Sequence, residues 1–216
     1  NYASTKSYPL VMVVHGDGGD GASMRALHTL DDVTGSDAIV VYPSGKGNTW
    51  DLSTPFAQNE DQQYFEALIA AVKGKYSIDA ARVFGVGYSS GGFLVNQLAC
   101  RRAGIFRAIA SYAGGAPFEV PEQKDPDGYQ VCPNASKVAA FIVHGTSDGT
   151  VSPSSGDFDA QHWAHYDGCN PAATARVDTP PSPCQKHVGC PAATPVTFCL
   201  IPGLGHIPWD EGAIDE

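Results

Sequence analysis

Short, nearly uninterrupted apolar runs recur along the chain, at residues 10–15, 38–42, 82–87, 107–112, 139–144 and 197–201, with longer mixed stretches between them. Runs of about five apolar residues suit strands and fall far short of a bilayer, and their lack of alternation fits strands covered on both faces, as in a parallel sheet. The stretches at 21–33, 61–76, 90–102 and 157–166 read as helices. In 61–76, Phe65, Leu68, Ile69 and Val72 recur at three- and four-residue steps, which lays one apolar stripe along a helix. This rhythm of strand, helix and strand predicts right-handed crossovers and an α/β fold, a mostly parallel sheet with helices on both faces. No repeat and no linker interrupts it, so residues 1–216 are expected to form a single domain.

Two segments break the rhythm. Residues 114–133 are polar and rich in Pro and Gly, and residues 167–195 carry three cysteines and six prolines with no periodicity. A loop that long in a compact domain is usually functional or pinned. It ends just before the last strand, where it is placed to wall a substrate cleft.

The candidate chemistry sits at strand ends. The strand at 82–87 runs into Gly87-Tyr88-Ser89-Ser90-Gly91 and then a helix, which is G-x-S-x-G in its strand–turn–helix setting. Small residues must flank a serine in so tight a turn, and Ser89 is the nucleophile this pattern predicts. A serine hydroxyl needs a base. Of seven histidines, His206 directly follows the last predicted strand, which matches the order nucleophile, acid, histidine. His15 and His144 end strands and precede glycines, and read as structural; His28, His162, His165 and His187 read as surface residues. Asp148, four residues past His144 in a Gly-containing turn, is the carboxylate expected to orient His206; Asp157 and Asp167 read better as a helix start and a loop residue. Two backbone N–H groups must hold the oxyanion. Ser90, opening a helix, supplies one. Asp17, in the glycine-rich run His15-Gly16-Asp17-Gly18-Gly19, supplies the other. No phosphate-loop lysine pattern is present, and Asp17 and Asp20 would repel phosphate.

Composition narrows the class. With 13 Lys and Arg against 23 Asp and Glu the net charge is −10, which excludes binding driven by nucleic-acid phosphates or an anionic membrane. Six cysteines, an even number, point to disulfides formed in an oxidising compartment, outside the cell. The expected pairing is Cys100–Cys132, Cys184–Cys190 and Cys169–Cys199. A zinc site around His187 is disfavoured because no CxxC pair is present, and no metal or other cofactor is expected. The chain opens at Asn1 on polar residues without a signal-peptide pattern, so a mature or trimmed product is expected. Asn134-Ala135-Ser136 is a glycosylation sequon.

Taken together, His15-Gly-Asp-Gly-Gly, Val41-Tyr-Pro-Ser-Gly with Trp50-Asp51, Gly87-Tyr-Ser-Ser-Gly-Gly, His144-Gly-Thr-Ser-Asp148, Trp163 with Asp167-Gly-Cys169, and Gly203-Leu-Gly-His206 resemble one group. It comprises the feruloyl esterases and their acetylxylan esterase and polyhydroxybutyrate depolymerase-like relatives. The resemblance runs from Pro9 to Trp209. It implies the α/β-hydrolase fold and a secreted serine esterase acting on plant cell-wall esters, small or polysaccharide-linked. Carried over, the triad falls on Ser89, Asp148 and His206, and the oxyanion donors on Asp17 and Ser90. Relatives have further elements before the first strand and after the histidine, so trimmed or missing ends are expected. Trp50, Trp163 and Trp209 are candidate cleft-wall aromatics, with burial in the core weighed equally. A reading from a different class, a non-catalytic carbohydrate-binding protein on the same fold, requires a broken triad, and no triad position is broken.

Overall fold

A computed structural model describes residues 2–133, 137–176 and 184–208. One eight-stranded sheet organises them. In chain order the strands are β1 (Tyr8–Val14), β2 (Ile39–Val41), β3 (Ile78–Tyr88), β4 (Ala108–Tyr112), β5 (Ala139–Gly145), β6 (Thr174–Arg176), β7 (Cys184–His187) and β8 (Val196–Ile201). The helices are α1 (Gly21–Leu27), α2 (Leu30–Thr34), α3 (Glu60–Lys75), α4 (Ser90–Arg101) and α5 (Pro153–Asp167). Across the sheet the order is β2-β1-β3-β4-β5-β8-β7-β6. The first six in that order are mutually parallel; β7 and β6 run antiparallel at one edge. The chain leaves β1 for one neighbour, β2, and returns to the other, β3. The carboxyl ends of β1 and β3 therefore flank a switch in strand order, where open α/β sheets bind their ligands.

The six apolar runs all lie in these parallel strands, yet two faces of the sheet differ. Leu10, Met12, Val14, Val83 and Ile109 face a core built with α3, α4 and α5, where Phe65, Leu94, Leu98 and Trp163 are buried. Val11, Phe84, Val86 and Ala110 point the other way and are half-buried. The helix expected over 21–33 divides in two at His28 and Thr29. The one expected from 157 begins a turn earlier, with Pro153 at its first positions and the Ser152 hydroxyl accepting the Ser154 N–H. Asp167 is accordingly the buried last residue of α5 rather than a loop residue.

The aperiodic segment corrects three expectations. It adds β7 and β6 to the edge of the sheet beyond β8. Its disulfides are Cys184–Cys199 and Cys169–Cys190, not Cys184–Cys190 and Cys169–Cys199, alongside Cys100–Cys132. The cause is register: β7 lies antiparallel to β8 with Cys184 directly opposite Cys199, so these two sulfurs meet across the ladder. Cys169, just past α5, is left to join Cys190 beyond the end of β7. His187 and His162 are buried, not superficial: His187 lies on β7, and His162 is enclosed by Tyr129, Trp163 and Tyr166. The sequon at Asn134 lies outside the described residues.

Candidate active site

At the end of β3 the chain turns so sharply that Ser89 takes φ 53°, ψ −121°, a left-handed conformation that a residue with a side chain rarely adopts. Two glycines permit the turn. A Cβ on Gly87 would stand 2.1 Å from the Gly91 carbonyl oxygen, and one on Gly91 would stand 2.4 Å from that of His15. The Ser89 N–H donates to the Tyr112 carbonyl on β4, and the Ser89 carbonyl accepts the Phe93 N–H of α4. The side chain is thus lifted from the carboxyl edge of the sheet, with α4 starting immediately behind it.

The loops after β5 and β8 meet on the other side. A Cβ on Gly145 would lie 2.0 Å from the Leu204 carbonyl oxygen, so the two backbones pass in direct contact. Thr146 N–H donates to Ile201 O, Ser147 N–H to Leu204 O, and Gly203 N–H to Thr146 Oγ1. This stitching brings Asp148 to His206. Asp148 Oδ2 lies 2.8 Å from His206 Nδ1, and His206 Nε2 lies 2.9 Å from Ser89 Oγ. Asp148 Oδ1 accepts the N–H groups of Thr150 and Val151, each at 2.9 Å. Burial raises the carboxyl's affinity for its proton, but the His206 contact and the two backbone donors outweigh it and hold the pKa below the ordinary value. Asp148 stays ionised as His206 requires.

Tyr88, the variable residue before the serine, was not singled out by motif. Its hydroxyl donates to the His206 carbonyl oxygen at 2.7 Å, and its ring lies 5.3 Å from the imidazole. Burial and then the Asp148 charge push its phenol pKa up, which keeps the donor proton in place. The only sequence signal was its position inside G-x-S-x-G.

The loop after β1 lies against Ser89. A Cβ on Gly16 would stand 3.0 Å from Ser89 Cβ. His15, buried, holds this loop from within. Its Nε2 accepts the Gly45 N–H at 2.9 Å, so Nδ1 carries the proton that it gives to the Gly16 carbonyl at 2.7 Å. Gly19 N–H donates to the same oxygen. In a trans peptide, pinning that carbonyl sends the Asp17 N–H the opposite way. The Asp17 side chain takes no part: it is exposed and accepts from Thr49 Oγ1. Ser90 is the first residue of α4, where N–H groups lack intrahelical acceptors.

Of the two readings weighed for the tryptophans, cleft wall or core, Trp50 and Trp163 take the core. Trp50 is 4% exposed, packs at 4.6 Å on the His15 ring and donates Nε1–H to the His15 carbonyl. It braces the glycine-rich loop from below. Trp163 is 0% exposed and donates Nε1–H to Asn96 Oδ1 behind α4. Asn96 Nδ2 in turn donates to Asp159 Oδ2 at 2.8 Å and to Gly115 O at 3.1 Å. Burial lifts the Asp159 pKa to about 7 against the hydrogen bond from Asn96. Nothing in the spacing of these residues announced this network. Trp209 lies outside the described residues.

A parallel sheet covered by helices, a serine raised on a glycine-flanked turn after β3, and a histidine after the last strand define the α/β-hydrolase fold. Over nearly its whole length the chain is similar to feruloyl esterases. It is 28% identical over 218 residues to a probable feruloyl esterase C of Aspergillus clavatus, a match covering 95% of this chain and 72% of that protein. It is 31% identical over 139 residues to feruloyl esterase D of Neurospora crassa, covering 64% and 43%. No family model matches. Among solved structures it superimposes on an acetyl xylan esterase from Aspergillus awamori with a TM-score of 0.74 at 22% identity, covering 100% of this chain and 89% of that one. A carboxylesterase of Bacillus cereus gives 0.63 at 17% identity, covering 100% and 88%.

Proposed function

We propose that the chain is a serine carboxylic ester hydrolase of the feruloyl esterase kind, a single catalytic domain working outside the cell on plant cell-wall esters. The observation that carries this is the continuous path from Ser89 Oγ through His206 to Asp148, with separations of 2.9 and 2.8 Å. In this reading His206 Nε2 takes the Ser89 proton as Oγ attacks the ester carbonyl. The negative oxygen that forms is held by the N–H groups of Ser90 and Asp17, each such donor contributing about 3 kcal/mol to the transition state. The imidazolium, stabilised by Asp148, protonates the departing alkoxide. Water, activated by the same His206, then attacks the acyl-serine and releases the acid and the free hydroxyl.

The feruloyl acyl group is supported by the relatives' names and by likeness over nearly the whole chain. An oxidising compartment is supported by the three disulfides. Also, no helix among the described residues is long and apolar enough to cross a membrane. The test is a rate panel on one preparation: methyl ferulate, acetylated xylan and short poly(3-hydroxybutyrate), with fluorophosphonate labelling of Ser89. Methyl ferulate is expected to be cleaved fastest and the label to map to Ser89. A dominant rate on either other substrate would replace the acyl assignment, and no labelling would remove the serine mechanism.

A further inference from the structure

The carboxylate of Asp148 has a second imidazole beside it. His144, next to last in β5, is buried, and its Nε2 lies 3.2 Å from Asp148 Oδ2, the oxygen that also faces His206 Nδ1. The same Nε2 lies 3.0 Å from the Val151 carbonyl oxygen. A ring nitrogen facing two oxygens carries the proton. The other nitrogen, Nδ1, has no hydrogen-bond partner among the described residues and lies against Gly156 of α5. A Cβ on Gly156 would come within 2.6 Å of Nδ1 and 2.9 Å of His144 Cβ. Glycine inside a helix costs about 1 kcal/mol relative to alanine. The helix forgoes a side chain at the one place where this imidazole stands.

We propose that His144 is a positioning residue for the acid–base pair. Its Nε2–H tethers the Val151 carbonyl while the Val151 N–H is held by Asp148 Oδ1, so the turn from Asp148 to Val151 is closed from both sides. The positive edge of the ring stands beside Oδ2. Together these keep the carboxylate aimed at His206 when that ring takes up charge. His144 touches the turn and not the nucleophile, so its effect falls on turnover rather than substrate affinity. The inference rests on the reading of Ser89, Asp148 and His206 as the reacting groups.

The experiment compares His144→Leu, His144→Gln, Gly156→Ala and Ser89→Ala in the full chain, measuring kcat and KM on p-nitrophenyl acetate. Loss of the tether should lower kcat about 30-fold in H144L with KM within about twofold, since small misplacements of reacting groups are that costly. H144Q, which keeps an N–H, should recover to within about threefold of the parent, and G156A, which improves helix propensity but crowds the ring, should lose about tenfold. Parental kcat in both H144L and G156A would overturn the proposal, as would H144Q no better than H144L. Should H144L fail to fold, nitrogen-15 NMR of the unmodified protein decides: the proton of His144 belongs on Nε2, and finding it on Nδ1 sinks the tether. S89A separates the two levels. If S89A is inactive while H144L and G156A behave as the parent, only this inference fails; if S89A stays active, the reading beneath it fails too.

Discussion

The sheet is held together in two different ways. Its parallel body, β1 to β5 with β8, is fastened by burial: Leu10, Met12, Val83, Leu94, Leu98 and Ile142 interlock with almost no exposed surface. Its antiparallel edge has little to bury. All three residues of β6 are exposed, and on β7 only Cys184 and His187 turn inward. There the chain is fastened by Cys184–Cys199 and Cys169–Cys190. Covalent bonds stand in where apolar area runs out, and Ser89, Asp148 and His206 all stand at strand ends of the body. Packing therefore carries the precision of the site, and sulfur carries the attachment of the edge.

That division can be broken experimentally. The largest effect belongs to the body's rim: Ser89→Ala should cut turnover of p-nitrophenyl acetate about 10⁶-fold, with the thermal unfolding temperature close to the parent's. Next comes the buried network behind α4. Asp159 holds its proton to about pH 7 when folded and releases it near 3.8 when unfolded. Between those values the folded state binds the extra proton, so stability should fall as pH rises from about 4 to about 7 and level off above, by up to about 4 kcal/mol. Urea midpoints from pH 4 to 8 measure this, and Asp159→Asn should make the slope shallower. Asp167, also lifted to about 7 by burial, leaves a residual slope of the same sign. At the edge, replacing Cys184 and Cys199 together with Ser removes a link closing 15 residues. It should cost about 3 kcal/mol of stability on the chain-entropy account. Turnover by the folded fraction should change little, and a collapse of kcat in a folded double variant would show that the edge shapes the site. The smallest effect is Tyr88→Phe, which removes one hydrogen bond worth about 1 kcal/mol to the His206 backbone. A drop in kcat of several-fold is expected, with KM unchanged.

The same contrast governs what could be read from the chain. Strands of the body announce themselves because both faces are covered, so nearly every position must be apolar, and the six runs mark them within a few residues. Thr174–Arg176 and Cys184–His187 carry no such signal; their register comes from sulfur and from β8, which no local pattern encodes. Two of the three expected disulfides differ for that reason, since a strand rather than a loop places Cys184 opposite Cys199, while Cys100–Cys132 forms as expected. At the site, Ser89, Asp148 and His206 stood out because each follows a strand in a fixed order, and they lie within hydrogen-bonding distance. Tyr88, Asn96 and Asp159 do not stand out, because no motif or strand-end position marks them and their partners are 118, 67 and 63 residues distant in the chain. Tryptophan is a different case. Its indole N–H found buried acceptors at His15 and Asn96, so Trp50 and Trp163 serve the interior.

The contact between Gly145 and the Leu204 carbonyl leaves no room for even a methyl group. His206 and Asp148 are consequently welded into one block and cannot drift apart without tearing both loops. Any relative movement of these groups and Ser89 has to run along the seam between that block and the turn at Gly87–Gly91. Among the described residues, the hydrogen bonds of Tyr88 and Ser89 to residue 206 cross it.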